Sequence, residues 1–249
     1  MPADGSRIND PQIVLREYAS ADRFLARRLA AWARLQGPLV EDAAVEALAL
    51  GAPVRLLDVG GGTGDFTEQL GQQLGVQLVA LDLSPRMVEL CQARGLDARQ
   101  GDIQALPFDD EEFDCVLANR VLYHLPDLKL GLSQIARVLR PSGRLVAVTY
   151  SDDHLCELFK LVGRRPDASP FSADNGAASL LRHFNPVERR DVIGTATFPS
   201  LDGILALLGA HEEFGYFAEI DLRLRLRDVQ LPFHATYRHA LFVAHKQGD

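Results

Sequence analysis

The chain has 249 residues and a formal net charge of -8 at pH 7. This acidity argues against a general nucleic-acid binder, which usually presents a basic face, and no apolar run approaches the roughly 20 residues of a membrane span. The length suits one α/β domain, expected over residues 1–249. The chain has three cysteines, Cys91, Cys115 and Cys156, and they form no C-x-x-C pair. Neither a disulfide framework nor a zinc site is therefore indicated, and a reduced, cytoplasmic location is expected.

Two helices are predicted ahead of the first strand. Apolar residues recur at helical spacing over residues 11–36, and the Gly-Pro pair that follows ends this helix. A shorter helix is predicted over residues 39–50. Residues 1–50 are therefore expected to form a helical lid over a ligand site, with Tyr18 contacting the substrate. The same helix carries arginines that could hold a ligand carboxylate: Arg23, Arg27 and Arg28.

A glycine-rich loop follows the first predicted strand, residues 54–59. Gly60, Gly62 and Gly64 let the backbone turn tightly and approach a ligand with no Cβ in the way. The dinucleotide fingerprint needs glycine at its sixth place, where this chain has Asp65, and a carboxylate at a helix N-terminus repels a pyrophosphate. The P-loop pattern is also absent. The loop therefore favours a nucleoside without phosphates and with a positive charge, such as S-adenosylmethionine (SAM).

Strands and helices alternate through the middle of the chain. Further strands are predicted at residues 77–82, 98–100, 113–118 and 145–150, and helices at residues 66–74, 84–94 and 130–139. This alternation predicts an α/β fold with a Rossmann-like, doubly wound, mostly parallel sheet. Residues 54–150 are expected to form the cofactor-binding core.

The pattern after residue 150 is weaker. Helices are predicted at residues 155–162, 175–183 and 201–208, and strands at residues 187–198 and 235–245, which complete a seven-stranded sheet. Residues 151–249 are expected to supply acceptor-side elements and closing strands, with a helical insertion over residues 200–232. Within it, leucine and arginine alternate with period two over residues 222–227, which indicates a half-exposed strand with a basic outer face.

Five segments, in the same order, resemble the motifs of class I SAM-dependent methyltransferases. They are similar above all to the small-molecule group typified by ubiquinone and menaquinone methyltransferases, and they cover about residues 54–150. The segments are residues 58–64, 81–87, 101–108, 113–124 and 139–145. The resemblance implies SAM as the cofactor and methyl transfer to a small-molecule acceptor, with the O, N or C atom undetermined.

Spacing and resemblance together predict the cofactor site. Asp82 follows Gly64 by 18 residues, close to the roughly 20-residue spacing that puts a carboxylate on ribose hydroxyls, although a carboxylate at a helix start is the plainer alternative. The resemblance places Asp102 on the adenine amine, and Asp58 at the loop or, through water, near the SAM amino group. The predicted cofactor-binding residues are Asp58, Gly60, Gly62, Gly64, Asp82, Leu83, Met87, Gly101, Asp102, Ile103 and Asn119.

Some of these residues have a second interpretation. Leu83, Met87 and Ile103 would flank the adenine ring as an apolar slot, and each could equally belong to the core. Asn119 follows the fourth strand of the alternating series, where the crevice of such a sheet opens, and it could line the methionine arm through its main chain.

Acid–base chemistry is assigned to His124 and its neighbour Tyr123, because histidine exchanges a proton near neutral pH and this pair follows the same strand. The alternative is a histidine that only supports the site. The predicted substrate contacts are Tyr18, Asn175, Arg182 and His183. The other histidines form no metal-ligand cluster, so no metal is predicted.

Rival functions stay open at this point. The protein could consume SAM by cyclisation or a lyase reaction that releases methylthioadenosine, or it could bind SAM without catalysis. A nicotinamide oxidoreductase is disfavoured by the missing third glycine. The expected partner is a small-molecule substrate, with no nucleic acid and no membrane, and the protein is expected to be a monomer or a homodimer.

Overall fold

One mixed β-sheet organises the part of the chain that the structure describes, residues 9–19, 33–50, 55–163, 168–210 and 219–247 of a computed structural model. Its strands are β1 (Arg34–Gln36), β2 (Arg55–Val59), β3 (Gln77–Asp82), β4 (Asp97–Gln100), β5 (Phe113–Asn119), β6 (Leu139–Tyr150), β7 (Val187–Phe198) and β8 (Phe233–His245). Their order across the sheet is β1-β7-β8-β6-β5-β2-β3-β4. Strands β2 to β6 pair in parallel, whereas every pair that involves β1, β7 or β8 is antiparallel.

Helices cover both faces of the sheet, as a doubly wound fold requires, so the predicted fold class is confirmed. They are α1 (Pro11–Glu17), α2 (Val40–Ala49), α3 (Asp65–Leu74), α4 (Pro85–Ala93), α5 (Leu128–Val138), α6 (Cys156–Leu161), α7 (Gly176–Leu180), α8 (Leu201–Ala210) and α9 (Glu219–Arg225). Side chains cap the starts of α4 and α5: Ser84 accepts from the Met87 N–H and Asp127 from the Leu130 N–H. No helix in the described ranges is long and apolar enough to cross a membrane.

The two faces of the central strands bury separate apolar clusters. On one face, Leu57 and Val59 of β2 pack in a cluster with Ile135 of α5. On the other, Leu56 packs in a cluster with Leu48 of α2. We refer to this second side as the α2 face. Because both faces are covered, these strands appear in the sequence as nearly continuous apolar runs.

The sheet has eight described strands instead of the seven predicted, because residues 34–36 form β1. The single helix predicted over residues 11–36 is wrong: α1 ends at Glu17, and Arg34 pairs with Thr197 of β7. The secondary structure of residues 34–36 was determined by hydrogen bonds with the edge of β7 more than by the helical spacing of apolar residues. Residues 20–32, with Arg23, Arg27 and Arg28, lie outside the described residues.

The strand predicted over residues 222–227 is also wrong, because α9 covers most of this segment. Leu222 and Leu226 are 3% and 1% exposed, whereas Leu224 between them is 57% exposed. Residues four apart share a helix face, while a strand would have placed all three leucines on one side. The alternating pattern was compatible with both periods, and packing of Leu222 and Leu226 in one cluster with Ile204 and Leu208 of α8 selected the helix.

Strand β1 rests on a tyrosine that needs a glycine opposite it. The Tyr237 hydroxyl donates to the Pro38 carbonyl at 2.9 Å and lies 3.3 Å from the Gln36 carbonyl, which holds the end of β1. Gly194 pairs with Tyr237 across β7 and β8. A Cβ on Gly194 would overlap the Tyr237 ring and hydroxyl. A glycine is therefore required here for close packing.

We expect Gly194→Ala to lower the free energy of unfolding by about 1–3 kcal/mol, because the methyl group displaces Tyr237 and with it β1. The matched control is Gly209→Ala in α8, where an added Cβ has no atom within 4 Å and should stabilise the helix by up to about 1 kcal/mol. Urea unfolding of the three proteins measures both effects. Equal stability of the two variants would contradict this packing.

Candidate functional site

A tight glycine loop lies at the carboxyl end of β2, where the crevice of such a sheet opens. Gly60, Gly62 and Gly64 have φ values of 77°, 57° and 79°, which favour glycine. The Gly60 N–H donates to the Leu81 carbonyl at 2.7 Å. A Cβ on Gly60 would lie 2.6 Å from the Val121 side chain. The predicted loop geometry is therefore present, and its glycines are required by backbone angle and by space.

Asp82 ends β3 and holds this loop in place. Its Oδ2 accepts from the Gly62 N–H at 2.9 Å, and its Oδ1 accepts from the Ser84 N–H at 2.8 Å. Burial raises the pKa of Asp82 above its ordinary value, and the N–H groups of Ser84, Gly62 and Leu83 oppose that rise. Each carboxylate oxygen can accept a second hydrogen bond. The side chain can thus orient the loop and still receive ribose hydroxyls.

Asp58 is a buried carboxylate with one oxygen that lacks a donor. It is 2% exposed, its Oδ2 accepts from the Thr67 hydroxyl at 2.6 Å, and its Oδ1 has no hydrogen-bond partner in the described structure. Burial raises the pKa of Asp58 to about 6, the Thr67 hydrogen bond lowers it, and the charge of Asp82 raises it. An unpaired buried carboxylate is costly, so this site favours a ligand that brings a cation.

Asn119 presents a second unpaired oxygen nearby. Strands β2 and β5 are neighbours, with Asp58 opposite Leu117, so Asn119 lies opposite Gly60 at the end of the next strand. Alternation along the strands puts Asp58 and Asn119 on the α2 face. The Asn119 Oδ1 is buried with no partner among the described residues. Each of these oxygens can accept a hydrogen bond from an ammonium group, and the amino group of SAM is such a group.

Asp65 plays a different part from the one the sequence suggested. Its carboxylate accepts from the Thr63 hydroxyl and from Arg94, each at 2.5 Å. Arg94 also donates to the Thr63 carbonyl at 2.8 Å and to Glu68 at 2.9 Å. The charge of Asp65 is therefore balanced by Arg94. Repulsion of phosphate in this crevice comes from Asp58 and Asp82 instead.

The predicted adenine end is built around Asp102. Its Oδ1 accepts from the Gln104 N–H at 2.8 Å and so caps a short 3-10 helix, Ile103–Ala105. Gly101 precedes it, and a Cβ there would lie 2.8 Å from the Leu81 side chain. Met87 has no exposed surface, which fits the core interpretation better than an adenine slot.

The remaining two residues of the predicted apolar slot differ in exposure. Ile103 is buried and Leu83 is half-buried. Leu83 is thus the one of the three with surface available to a ring.

Three residues predicted for chemistry and substrate contact meet beside the loop. The Tyr18 hydroxyl lies 2.9 Å from Nε2 of His124, with the two rings edge to face. The Tyr123 ring centroid is 4.4 Å from that of His124. The Ser84 hydroxyl donates to the Tyr18 carbonyl at 3.0 Å. The residue after α1 is therefore tied both to the start of α4 and to the predicted base.

The other predicted substrate residues do not join this group. Asn175 uses its amide within its own loop, accepting from the Ser172 N–H and donating to the Ser169 carbonyl, both at 2.8 Å. Arg182 is exposed, and the Nε2 of His183 is buried without a partner among the described residues. Their role stays a prediction.

The backbone beyond His183 indicates where that segment lies. The Asn185 N–H donates to the His245 carbonyl, and His245 pairs with Arg144 near the amino end of β6. Tyr150 ends β6 at the crevice, so the segment after α7 lies towards the opposite end of that strand.

Sequence reasoning missed a set of residues beyond Asn119. Arg120 has a φ of 59° and donates from Nη2 to Glu41 of α2 at 2.7 Å. The Tyr150 ring lies 4.6 Å from His154 and 5.1 Å from His239 between centroids. Burial lowers the pKa of His239 to about 2, and the charges of His154 and Arg120 add to that effect.

Some of these residues carried a signal in the sequence. Arg120 and Tyr150 each stand at the carboxyl end of a predicted strand, where ligand-binding residues of such sheets gather. His239 had no such signal, because only the antiparallel pairing of β8 brings it opposite Tyr150.

Comparisons with known proteins agree with this architecture. Residues 57–147 match the family model described as a methyltransferase domain. The chain is 38% identical over 149 residues to the O-methyltransferase cnsE of Penicillium expansum, which covers 55% of this chain and 54% of that protein. It is 39% identical over 115 residues to a demethylmenaquinone methyltransferase of Deinococcus radiodurans, with coverage of 43% and 47%. The chain thus spans about half the length of these curated relatives.

Solved structures share the fold over nearly the whole chain. The N-methyltransferase NodS from Bradyrhizobium japonicum WM9, in complex with S-adenosylhomocysteine (SAH), superposes with a TM-score of 0.56 at 18% identity, covering 97% of this chain and 100% of that chain. The [4+2]-cyclase SpnF superposes with a TM-score of 0.62 at 19% identity, covering 96% and 97%. At such identity these structures show the fold alone. The family match, the matched relatives and the glycine loop together place residues 57–147 in the class I SAM-dependent methyltransferase family, whose cofactor is SAM.

Proposed function

We propose that this protein transfers a methyl group from SAM to a small-molecule acceptor. The observation that carries the proposal is the pair of unpartnered oxygens of Asp58 and Asn119 on the two strands that end beside the glycine loop. A cationic nucleoside with an amino-acid arm fits this arrangement. A ligand with phosphates would add negative charge next to two carboxylates, which is unfavourable.

Each end of the cofactor has a residue suited to hold it. Asp82 would accept from the ribose hydroxyls, Asp102 from the adenine amine, and Asp58 with Asn119 from the amino group. When bound, SAM supplies a methyl group that is already activated on a sulfonium. The chain then has to align the acceptor and exclude water, and alignment of this kind contributes on the order of 7–11 kcal/mol in intramolecular analogues.

The group formed by Tyr18, Tyr123 and His124 would handle the acceptor proton. An acceptor hydroxyl or ammonium loses its proton as the methyl group arrives, and the Tyr18–His124 hydrogen bond provides a route for it. We further propose that the chain acts as a single domain in which residues 1–50 form the lid. This placement rests on the hydrogen bond from Ser84 to Tyr18.

Incubation with SAM and a panel of hydroxyl, amine and activated-carbon acceptors tests the function. We expect SAH and a methylated acceptor in equal amounts by mass spectrometry. Methylthioadenosine in place of SAH would contradict methyl transfer and favour the cyclase or lyase alternative. Binding of SAH without turnover of any acceptor in the panel would favour a non-catalytic SAM-binding protein.

The ribose assignment predicts that Asp82→Ala weakens SAH binding by about tenfold or more, because a charged hydrogen-bond acceptor is lost. Isothermal calorimetry measures the effect. The control is Asp97→Ala, an exposed carboxylate at the start of the neighbouring strand β4, and it should bind like the parent. Unchanged affinity in the Asp82 variant would remove the assignment.

Asp58→Asn should weaken cofactor binding and raise the stability of the ligand-free protein. The pKa of Asp58 is about 6 in the folded protein against 3.8 ordinarily, so the folded state loses stability as pH rises from about 4 to 6 and stays penalised above that. The neutral side chain of the Asn variant removes this loss of folding stability. We expect the gain in the free energy of unfolding to be at most about 3 kcal/mol at pH 8 and to be small at pH 4.

Urea unfolding of the ligand-free proteins at the two pH values measures this difference. The same variant should bind SAH about tenfold more weakly at pH 8, since the partner of the amino group loses its charge. A stability difference that does not depend on pH would contradict the buried charge of Asp58.

Replacement of His124 tests the route of the proton. For an acceptor that loses a proton, His124→Asn should lower kcat by about 100-fold or more while SAH affinity changes less than about twofold. Tyr18→Phe removes the hydroxyl alone and should have a smaller effect in the same direction. Full activity of both variants with a hydroxyl acceptor would show that this pair does not move the proton.

A further inference from the structure

Arg120 is held in an uncommon backbone conformation at the edge of the crevice. Its φ of 59° is left-handed, and its N–H donates to the Val148 carbonyl at 2.9 Å. A long side chain in this region of backbone space is strained, and such strain gathers at ligand sites. The turn directs the chain out of β5 immediately after Asn119.

The guanidinium of Arg120 retains donors for a ligand. Its Nη2 donates to Glu41, and within the described ranges Nε and Nη1 have no hydrogen-bond partner. The side chains of Arg120 and Glu41 are 29% and 32% exposed. A planar guanidinium with one edge fixed by a carboxylate keeps its remaining N–H groups in a rigid arrangement that matches a second carboxylate.

Two tyrosines and a carboxylate affect the charge of this arginine. Burial opposes the charge on Arg120, and the Tyr150 phenol, the Glu41 carboxylate and the Tyr123 phenol outweigh it, so the pKa of Arg120 rises above its ordinary value. Tyr150 and His239 form a cross-strand pair whose rings pack together. By strand alternation His239 lies on the α2 face, as does Asn119, whereas the Tyr150 ring packs against the cluster of the opposite face, which contains Tyr123.

A second unpaired group lies in the same cluster. His239 is 9% exposed, and its Nδ1 is buried without a hydrogen-bond partner in the described chain. Its ring centroid lies 4.9 Å from that of His154. Because His239 stays neutral, it contributes a polar atom and a flat ring surface without adding charge. Arg120 contributes a positive charge and N–H donors that have no partner among the described residues.

We propose that Arg120 binds the carboxylate of a bound small molecule, with Tyr123 and Tyr150 beside it. The inference rests on the proposed methyl transfer and deepens it by naming a recognised group. A monoanion fits better than a phosphate, since Glu41 already shares the guanidinium and would repel a doubly charged ligand. The carboxylate comes from the acceptor or from the methionine arm of SAM, because Arg120 adjoins Asn119 on one side and the aromatic rings on the other.

The experiment compares ligands that differ by a carboxylate. Calorimetry measures the affinity of SAH and of decarboxylated SAH for the free protein. It also measures the affinity of benzoate and of benzamide, both for the free protein and for the SAH-loaded protein. The variant is Arg120→Gln, which keeps a long unbranched side chain at the left-handed position. Two controls accompany it: Glu41→Gln, which breaks the ion pair but leaves the guanidinium, and Arg227→Gln, an arginine that is 72% exposed and paired with Asp228.

We expect Arg120→Gln to weaken one carboxylate ligand by about tenfold or more and to leave the binding of its counterpart without a carboxylate unchanged. Loss confined to SAH assigns the site to the cofactor, and loss confined to benzoate assigns it to the acceptor. Both controls should keep the preference for the carboxylate. If Glu41→Gln loses it to the same extent, or if Arg120→Gln weakens all four ligands alike, the arginine only supports the fold and the proposal is overturned.

The proposal is also overturned if the variant binds all four ligands as the parent does, or if the parent shows no preference for a carboxylate in either pair. Failure of the parent to bind SAH or its decarboxylated form would refute the proposed function instead. In that case benzoate against benzamide on the free protein still decides the role of Arg120.

Discussion

A buried carboxylate without a donor is the constraint on which the rest of the site depends. Asp58 lies in the central strand β2, 2% exposed, and one of its oxygens has no partner among the described residues. Asp82 on the neighbouring strand adds a second charge, fixed by the N–H groups of Gly62 and Ser84. Two carboxylates at adjacent strand ends destabilise the ligand-free protein, and a cation relieves that penalty. The glycine loop begins at the end of the same strand, and the Asn119 Oδ1 on the neighbouring strand is also buried without a partner among the described residues.

The same region connects the cofactor site to the acceptor side. Ser84 follows the proposed ribose ligand Asp82, caps α4 and donates to the carbonyl of Tyr18, whose hydroxyl meets His124. These hydrogen bonds therefore link the proposed ribose ligand to the proposed base through Tyr18. On the far side of Asn119, Arg120 and the rings around Tyr150 supply charge and flat surfaces. These would help to recognise the acceptor, which no motif of the sequence specifies.

The sequence predicted the core of the fold and the geometry of the glycine loop because local patterns determine them. The backbone conformation of the loop requires glycine at these positions. The distance along the chain from the loop to Asp82 reflects one strand–helix–strand unit. Strand β1, helix α9 and the His239–Tyr150 pair depended on tertiary contacts instead. The three residues of β1 form a strand because they make hydrogen bonds with the edge of β7. The spacing of Leu222 and Leu226 fits the period of a strand as well as that of a helix. Antiparallel pairing of β8 brings His239 to the crevice from the end of the chain, and no local pattern predicts that.

Proton exchange on binding SAH tests the buried charge most directly. Asp58, with a pKa of about 6, is about half protonated at pH 6 in the free protein, and an ammonium group placed beside it expels that proton. Calorimetry in two buffers of different ionisation enthalpy should then give roughly half a proton released per SAH at pH 6 and close to none at pH 7.5. Proton release that is the same at both pH values, or no binding of SAH by folded protein, would contradict the arrangement described above.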